Sequence, residues 1–359
     1  MPPIHFVRRV GLFPGLGRRY GEGEPEAGQG PQKAGTGTWK TGTGEGHARR
    51  PGMAAMAERP RISVVIPHYN DADALAQCLA ALHAQRDAGV PFEIIVVDNG
   101  SREMPNAVCA AVPGVQLLLE TTPGPGPARN RGAAAAQGEI LAFIDSDCWA
   151  DPGWIAAIDA AFREPDTSII GGDVRIAPQD PGRMTVVEAY ESVFGYRFQL
   201  YIERDRYTGT GNMGVRREIF EVVGPFAGID FAEDMDWGRR ALALGHAPRY
   251  VPTMRVRTPA RRNFGELARK WDRHIAHFYE QNRGRPFAGA RWLARAMLVA
   301  VSPVAEIPRI LATDRLARPG DRVRALAGVT RLRLHRARQM LRLALGADPV
   351  RLAGAWREP

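Results

Sequence analysis

From residue 62 onward, short apolar runs alternate with amphipathic stretches. Ile62, Val64, Val65 and Ile66 form a β-branched run ended by Pro67, which predicts a buried parallel strand. Residues 71–86 follow with Leu75, Cys78, Leu79 and Leu82 at helical spacing, and Asp71 or Asp73 stands where an N-cap belongs. A second strand runs over 93–97 and stops at Asp98, Asn99, Gly100 and Ser101, a turn sequence. Residues 115–119 predict a third strand, 127–137 an alanine-rich helix closed by Gly138, and 140–144 a fourth strand ending at Asp145. This alternation predicts an α/β fold with a mostly parallel sheet flanked by crossover helices. Ligands of such sheets bind at the carboxyl ends of strands, so the loops opening at Asp98 and Asp145 are where a site should lie.

The second half is less regular. Strand pieces at 169–170 and 174–176 surround Gly171 and Gly172, residues 186–203 read as a helix, and 208–216 as a glycine-rich turn entering a strand. A helix over 234–244 closed by Gly245, a strand over 249–257 and a long basic helix over 263–281 follow, and from Trp292 the chain reads as helical. Residues 294–311 contain Met297, Leu298, Val299, Ala300 and Val301 but are broken by Pro303, Glu306 and Pro308. A membrane span needs about 20 apolar residues; this segment reads instead as an interfacial helix flanked by Arg291, Arg295, Arg309 and Arg315. Residues 322–345 mix Leu, Val and Ala with many arginines, which suits an anionic leaflet and suits packing on the preceding domain equally well.

Before residue 61, Gly, Pro, Arg and Glu dominate, and such a segment buries too little apolar surface to offset its chain entropy. The chain thus divides into a disordered leader over 1–60, in which Met53 and Met56 are candidate starts, a catalytic-type α/β domain over 61–260, and a basic helical C-terminal region over 261–359. With 45% hydrophobic residues in 359, a sizeable core is expected. The formal net charge of +9 points to an anionic partner. An aromatic-interleaved basic stripe or a nucleic-acid motif is absent from the sequence, so a phosphorylated ligand or an acidic membrane surface is expected rather than nucleic acid. Three cysteines without metal-ligand spacing read as reduced thiols, and residues 1–20 lack a long apolar stretch. Both point to a cytoplasmic location, with peripheral contact at the inner face of an anionic membrane.

The chemistry concentrates at Asp145, Ser146 and Asp147, an acid-x-acid at the end of a buried strand. A departing diphosphate needs its charge neutralised, and a hard divalent cation held by one or two carboxylates does this. Taken in order, residues 63–70 (Ser63 to Asn70), 93–101 (Glu93 to Ser101), 126–132 (Gly126 to Gly132) and 145–147 closely resemble the opening of the family 2 glycosyltransferases. The likeness extends over roughly 62–257. The resemblance implies a GT-A (Rossmann-like) fold, a nucleotide-diphospho-sugar donor, a glycan or lipid-linked acceptor, and Mg²⁺ or Mn²⁺. It assigns Pro67, Tyr69 and Asn70 to the base and ribose, Asp98 to the base edge, Arg129 and Asn130 to the ribose and diphosphate, Asp145 to the ribose, and Asp147 to the metal. An inverting transfer also needs a base for the attacking hydroxyl. Glu233 and Asp234 resemble the family's Glu-Asp pair, which makes Asp234 the base and Glu233 the acceptor-positioning acid. Gly211 and Asn212 match the strand entry that lines the acceptor cleft. Two departures stand out: Cys148 occupies the place of a third acid, and residues 255–262 hold arginines where many members carry a histidine. Those arginines suit either a grip on the diphosphate or a solvated face. A sugar-phosphate nucleotidyltransferase would want a glycine-rich basic loop where Pro67 to Asn70 stand, and a non-catalytic glycan- or lipid-binding module would not need Asp145, Asp147 and Asp234.

Overall fold

The computed structural model describes residues 59–228, 233–284 and 288–353. The leader expected over 1–60 lies outside them except for its last two residues. In chain order the structure runs β1 (Ile62–His68), α1 (Ala72–His83), β2 (Phe92–Asp98), α2 (Asn106–Ala110), β3 (Val115–Leu119), α3 (Pro125–Ala135), β4 (Ile140–Ile144), β5 (Trp149–Ala150), α4 (Trp154–Phe162) and β6 (Ile169–Ala177). It continues with α5 (Val186–Phe194), α6 (Phe198–Leu200) leading into a π turn (Tyr201–Asp205), β7 (Asn212–Arg216), α7 (Arg217–Val223), α8 (Glu233–Ala243) and β8 (Pro248–Pro259). The C-terminal helices are α9 (Phe264–Asn282), α10 (Ala288–Val301), a 3₁₀ turn (Ser302–Glu306), α11 (Ile307–Ala312), α12 (Pro319–Ala344) and α13 (Pro349–Ala353).

Eight strands form one sheet in the order β3-β2-β1-β4-β7-β6-β8-β5. The first four strands are parallel to one another, as their continuous apolar runs imply: Val64, Ile66, Ile94, Val96, Ile140 and Ala142 are wholly buried on one face and Val65, Ile95, Val97, Leu141 and Phe143 on the other. Beyond β4 the sheet changes character. β7 runs antiparallel to β4 and β6, β8 is parallel to β6, and β5 is antiparallel to β8. This is the expected α/β arrangement flanked by helices, but its sheet is mixed rather than mostly parallel.

Two local departures from expectation have steric causes. β1 does not stop at Pro67; it pairs Pro67 with Val97 and His68 with Asp98. Its pairing with β4 ends at Val65, so the proline's missing N–H leaves no ladder bond unmade on that side. The two strand pieces around Gly171 and Gly172 are one strand with a bulge between Gly172 and Asp173. A Cβ at Gly172 would collide with the Met254 carbonyl and the Asn212 amide, so only glycine admits this close approach.

The helices after β8 are not separate from the rest. Ala189, Tyr190 and Val193 of α5 share a core with Leu267 of α9, Ile310 of α11, Leu316, and Ala325, Val329 and Leu332 of α12. A second small core joins Ile275, Trp292, Ala296 and Val299 to Ala337, Met340 and Leu343. The apolar stripe read over 322–345 is therefore turned inward against protein. Arg315 ties this region to the sheet by an ion pair with the buried Asp173 and by donating to the carbonyls of Val174 (2.9 Å) and Tyr196 (3.1 Å).

Candidate active site

The carboxyl ends of β1 and β4 open into a cleft of about 670 Å³, closed on the far side by the segment 196–211 and the start of α8. On one wall, the loops after β1 and β2 are cross-linked. The Asn70 backbone, at φ 54°, donates to Ser101 Oγ at 2.8 Å, and Asn70 Oδ1 accepts from the Arg102 amide at 2.8 Å. Asp98 is wholly buried. Its Oδ1 accepts from Ser101 Oγ (2.6 Å) and from His68 Nδ1 (2.9 Å), and its Oδ2 from the Ser101 amide (3.0 Å). Burial pushes the Asp98 carboxyl up, but these hydrogen bonds outweigh it and hold the group below the usual carboxylate range. Asn99 pins the next loop, donating to the carbonyls of Glu120 and Thr122 and accepting from the Gly124 amide at 2.7 Å. Pro67 and the half-open Tyr69 ring line the cleft above this scaffold.

Asp145 and Asp147 stand at the cleft floor. One carboxylate oxygen from each, together with Cys148 Sγ, lies within 4.8 Å of the others. Asp147 is exposed to solvent within the cleft, yet enclosing walls first and the Asp145 charge second push its carboxyl up to about 6. Two carboxylates are oxygen donors suited to a hard cation. The Cys148 thiol differs: burial and the Asp147 charge push it well above the ordinary thiol range, so it stays protonated and donates to Asp147 Oδ1 at 3.6 Å. Gly211 packs against the motif so closely that a Cβ there would stand 2.6 Å from Asp145 Oδ2.

Arg129 joins the two sides. Its guanidinium is almost wholly buried and donates to Asp145 Oδ1 (2.6 Å) and to Glu233 Oε1 (3.1 Å). Its Nε is buried with no hydrogen-bond partner among the described residues. On the far wall Asp234 accepts from the Met235 amide at 2.7 Å at the α8 N-terminus. Burial first and the Glu233 charge second raise its pKa. Tyr201 stacks on Tyr207 with ring centroids 5.5 Å apart, and the charge of Asp234 adds to burial in raising both phenols. Val174, Tyr196, Phe198 and Tyr201 complete this wall.

The structure therefore brings Pro67, Tyr69, Arg129, Asp145, Asp147, Gly211, Glu233 and Asp234 to one cleft. It does not bring Asp98, Asn130 or Asn212. Both oxygens of Asp98 serve the loop beneath, so it touches no open surface. Asn130 is clamped to Phe226, donating to its carbonyl and accepting from its amide, each at 2.9 Å. Asn212 is fully buried: its Nδ2 donates to the carbonyls of Asp173 and Met254, and Trp154 Nε1 donates to its Oδ1. Asn70 stays at the rim as a loop tie. Three of the four arginines over 255–262 are also committed elsewhere: Arg257 pairs with Asp151 at 2.6 Å, Arg255 lies 3.4 Å from Asp173, and Arg261 pairs with Glu191. His274 and His277 sit on α9 outside the cleft lining. The aromatic wall at Tyr196, Phe198 and Tyr201 was not legible, because its residues fall in a stretch that reads as a continuous helix.

The description "Glycosyl transferase family 2" matches this chain over residues 63–227. The glycosyltransferase AglE of Haloferax volcanii is 31% identical over 217 residues, covering 59% of this chain and 70% of that protein. The succinoglycan biosynthesis protein ExoO of Rhizobium meliloti is 38% identical over 96 residues, or 26% of this chain and 27% of that one. Among solved structures, a mannosyltransferase of Pyrobaculum calidifontis in complex with GDP-Man and Mn²⁺ is 17% identical, covers 80% of this chain and 88% of that one, and superposes with a TM-score of 0.48.

Proposed function

The chain belongs to glycosyl transferase family 2 and is a transferase, and from that premise we propose that it moves a sugar with inversion from a nucleotide-diphospho-sugar to a hydroxyl of a glycan or lipid-linked acceptor. The observation that carries this reading is that Asp147 and Asp234 line one cleft in which Arg129 bridges Asp145 to Glu233. The catalytic region is 61–260, braced by the basic helices of 261–359.

In this reading Tyr69 offers its exposed ring, and Pro67 its edge, to the base, while Asn70 and Asp98 keep their loop in shape from below. Asp147, with Asp145, is the place for Mg²⁺ or Mn²⁺, which supplies charge neutralisation for the departing diphosphate. Arg129 contributes a fixed positive charge beside the same phosphates. Asp234 takes the proton of the attacking hydroxyl: its carboxylate lines the same cleft as the two aspartates, in the first turn of a helix whose N-terminus favours its ionised form. Burial and Glu233 work the other way and raise its basicity, which suits a group that must accept a proton. Glu233, held by Arg129, positions the acceptor, and Gly211 leaves room beside Asp145.

A nucleotidyltransferase would want a glycine-rich basic loop where Pro67 to Asn70 stand, and a non-catalytic module would leave Asp147 and Asp234 without a task. The test is a screen of nucleotide sugars for metal-dependent hydrolysis and transfer. Asp147→Ala should abolish Mn²⁺-dependent binding of the nucleotide diphosphate in calorimetry, because the variant removes a ligand and leaves the diphosphate charge uncompensated. Unchanged affinity would sink the assignment.

A further inference from the structure

Among the described residues, the C-terminal helices present one apolar face that is left exposed. On α10, Trp292, Ala296 and Val299 point into the core, while Leu293, Met297, Leu298 and Val301 occupy the opposite side, 43–65% exposed. The stripe continues through the 3₁₀ turn and α11, where Val304 is 71% and Leu311 63% exposed. Monomeric proteins seldom leave so continuous an apolar surface to water. No helix among the described residues is long and apolar enough to cross a membrane.

Charge identifies what covers it. Residues 288–353 carry thirteen arginines against four carboxylates, an excess of nine that equals the formal net charge of the whole chain. The rest of the sequence is thus electrically balanced, and five of the thirteen arginines, Arg291, Arg295, Arg309, Arg315 and Arg318, fall in the stretch that carries the apolar stripe, against Glu306 and Asp314. Arg291 and Arg318 are exposed and have no carboxylate partner among the described residues. A second copy of the chain would bring the same positive excess against itself, which is repulsive. We propose that the α10–α11 face docks on an anionic lipid leaflet, its apolar side chains entering the headgroup boundary and its arginines meeting lipid phosphates.

The docked face is joined to the cleft. Arg315, three residues after α11, holds the carbonyls of Val174 and Tyr196, two residues of the far wall, and Arg309 lies close enough to Arg197 for its charge to add to burial in lowering that guanidinium's pKa. Docking would therefore turn the acceptor side of the cleft, not the nucleotide side, toward the leaflet. On the reading that this cleft transfers sugar, the acceptor arrives from the membrane as an amphiphile.

The experiment is flotation of the full chain with vesicles of phosphatidylcholine alone and of phosphatidylcholine with 30% phosphatidylglycerol, at low and high salt. Binding should require the anionic lipid and weaken with salt. Combining Met297→Ser, Leu298→Ser, Val301→Ser and Val304→Ser keeps every charge and should weaken partition at least tenfold, with the circular dichroism spectrum and Mn²⁺-dependent nucleotide binding unchanged. In the unaltered protein, hydrogen exchange across residues 293–311 should slow when the anionic vesicles are added. Absence of binding to anionic vesicles, or equal binding by the serine variant, overturns the proposal. So does a lipid-free dimer that the serine variant dissociates, since the face would then belong to a second copy. Donor hydrolysis in lipid-free buffer reports on the transfer reading separately, so either idea can fail alone.

Discussion

The two walls of the cleft are built on different terms. The wall of β1, β2 and β4 rests on parallel strand ends whose loops are tied to one another by short side chains: Asn70 to Ser101 and Arg102, Asp98 to His68 and Ser101, Asn99 to three backbone groups over 120–124. The opposite wall comes from a π turn, stacked tyrosines and a helix N-terminus, with its support taken from helices far later in the chain. Hydrogen-bonded loops on a buried sheet give a rigid, pre-shaped surface suited to an invariant group such as a nucleotide. An aromatic wall held mostly by packing can vary with the acceptor while the first wall stays the same.

The largest effect expected from this contrast is on the acceptor wall. Asp234→Asn should lower kcat for transfer by about 10²–10⁴-fold while leaving donor affinity intact, because an amide cannot accept the hydroxyl proton. Steady-state kinetics with donor and acceptor varied separately would show it. Asp236 is paired with Arg240 at 3.0 Å on the next face, and Asp236→Asn should do little. A dead Asp236→Asn beside an active Asp234→Asn would move the base and break the contrast.

A second expectation concerns pH. The Asp234 pKa is raised, so transfer should fall as pH drops through a value above the ordinary carboxylate range. Glu233→Gln removes a like charge and should move that acidic limb to lower pH. A limb that stays in place in the pH–kcat profile would assign it to another group.

Smaller effects belong to the scaffold. Asn130→Ala breaks two hydrogen bonds to Phe226 and should cost on the order of 1–3 kcal/mol in denaturant unfolding, with donor affinity unchanged. A selective loss of donor affinity would return Asn130 to the cleft. The smallest change expected is Asp71→Ala, which removes the α1 cap on the Ala74 amide and should cost about 1 kcal/mol, again read by unfolding.

The sequence was most readable where burial is most uniform. β1 to β4 show as apolar runs because both faces of a parallel sheet are covered, and Asp145 and Asp147 follow directly from where β4 ends. α4 escaped notice for the same reason: Trp154, Ile155, Ile158, Ala161 and Phe162 are buried around most of its girth, so helical periodicity is blurred. The expected helix over 186–203 is interrupted between Gly195 and Phe198, where Arg315 takes the Tyr196 carbonyl, a long-range contact that local pattern cannot register. Asn130 and Asn212 carry the same amide whether they face a ligand or a backbone, and only the folded chain distinguishes the two. Pro67, Tyr69, Arg129 and Asp234 were readable as cleft residues because motif order fixed their neighbours.

The shared core of α5 and α12 has a consequence for how the protein is made. Ala189, Tyr190 and Val193 leave the ribosome roughly 140 residues before Ala325, Val329 and Leu332, an interval on the order of ten seconds at ordinary rates of synthesis. Through that interval the catalytic sheet is already on hand while the helix behind its acceptor wall lacks its partner surface. Until its last long helix arrives, the nascent chain thus carries an uncovered apolar face on α5, and a chain cut short of that helix inherits the exposed face permanently.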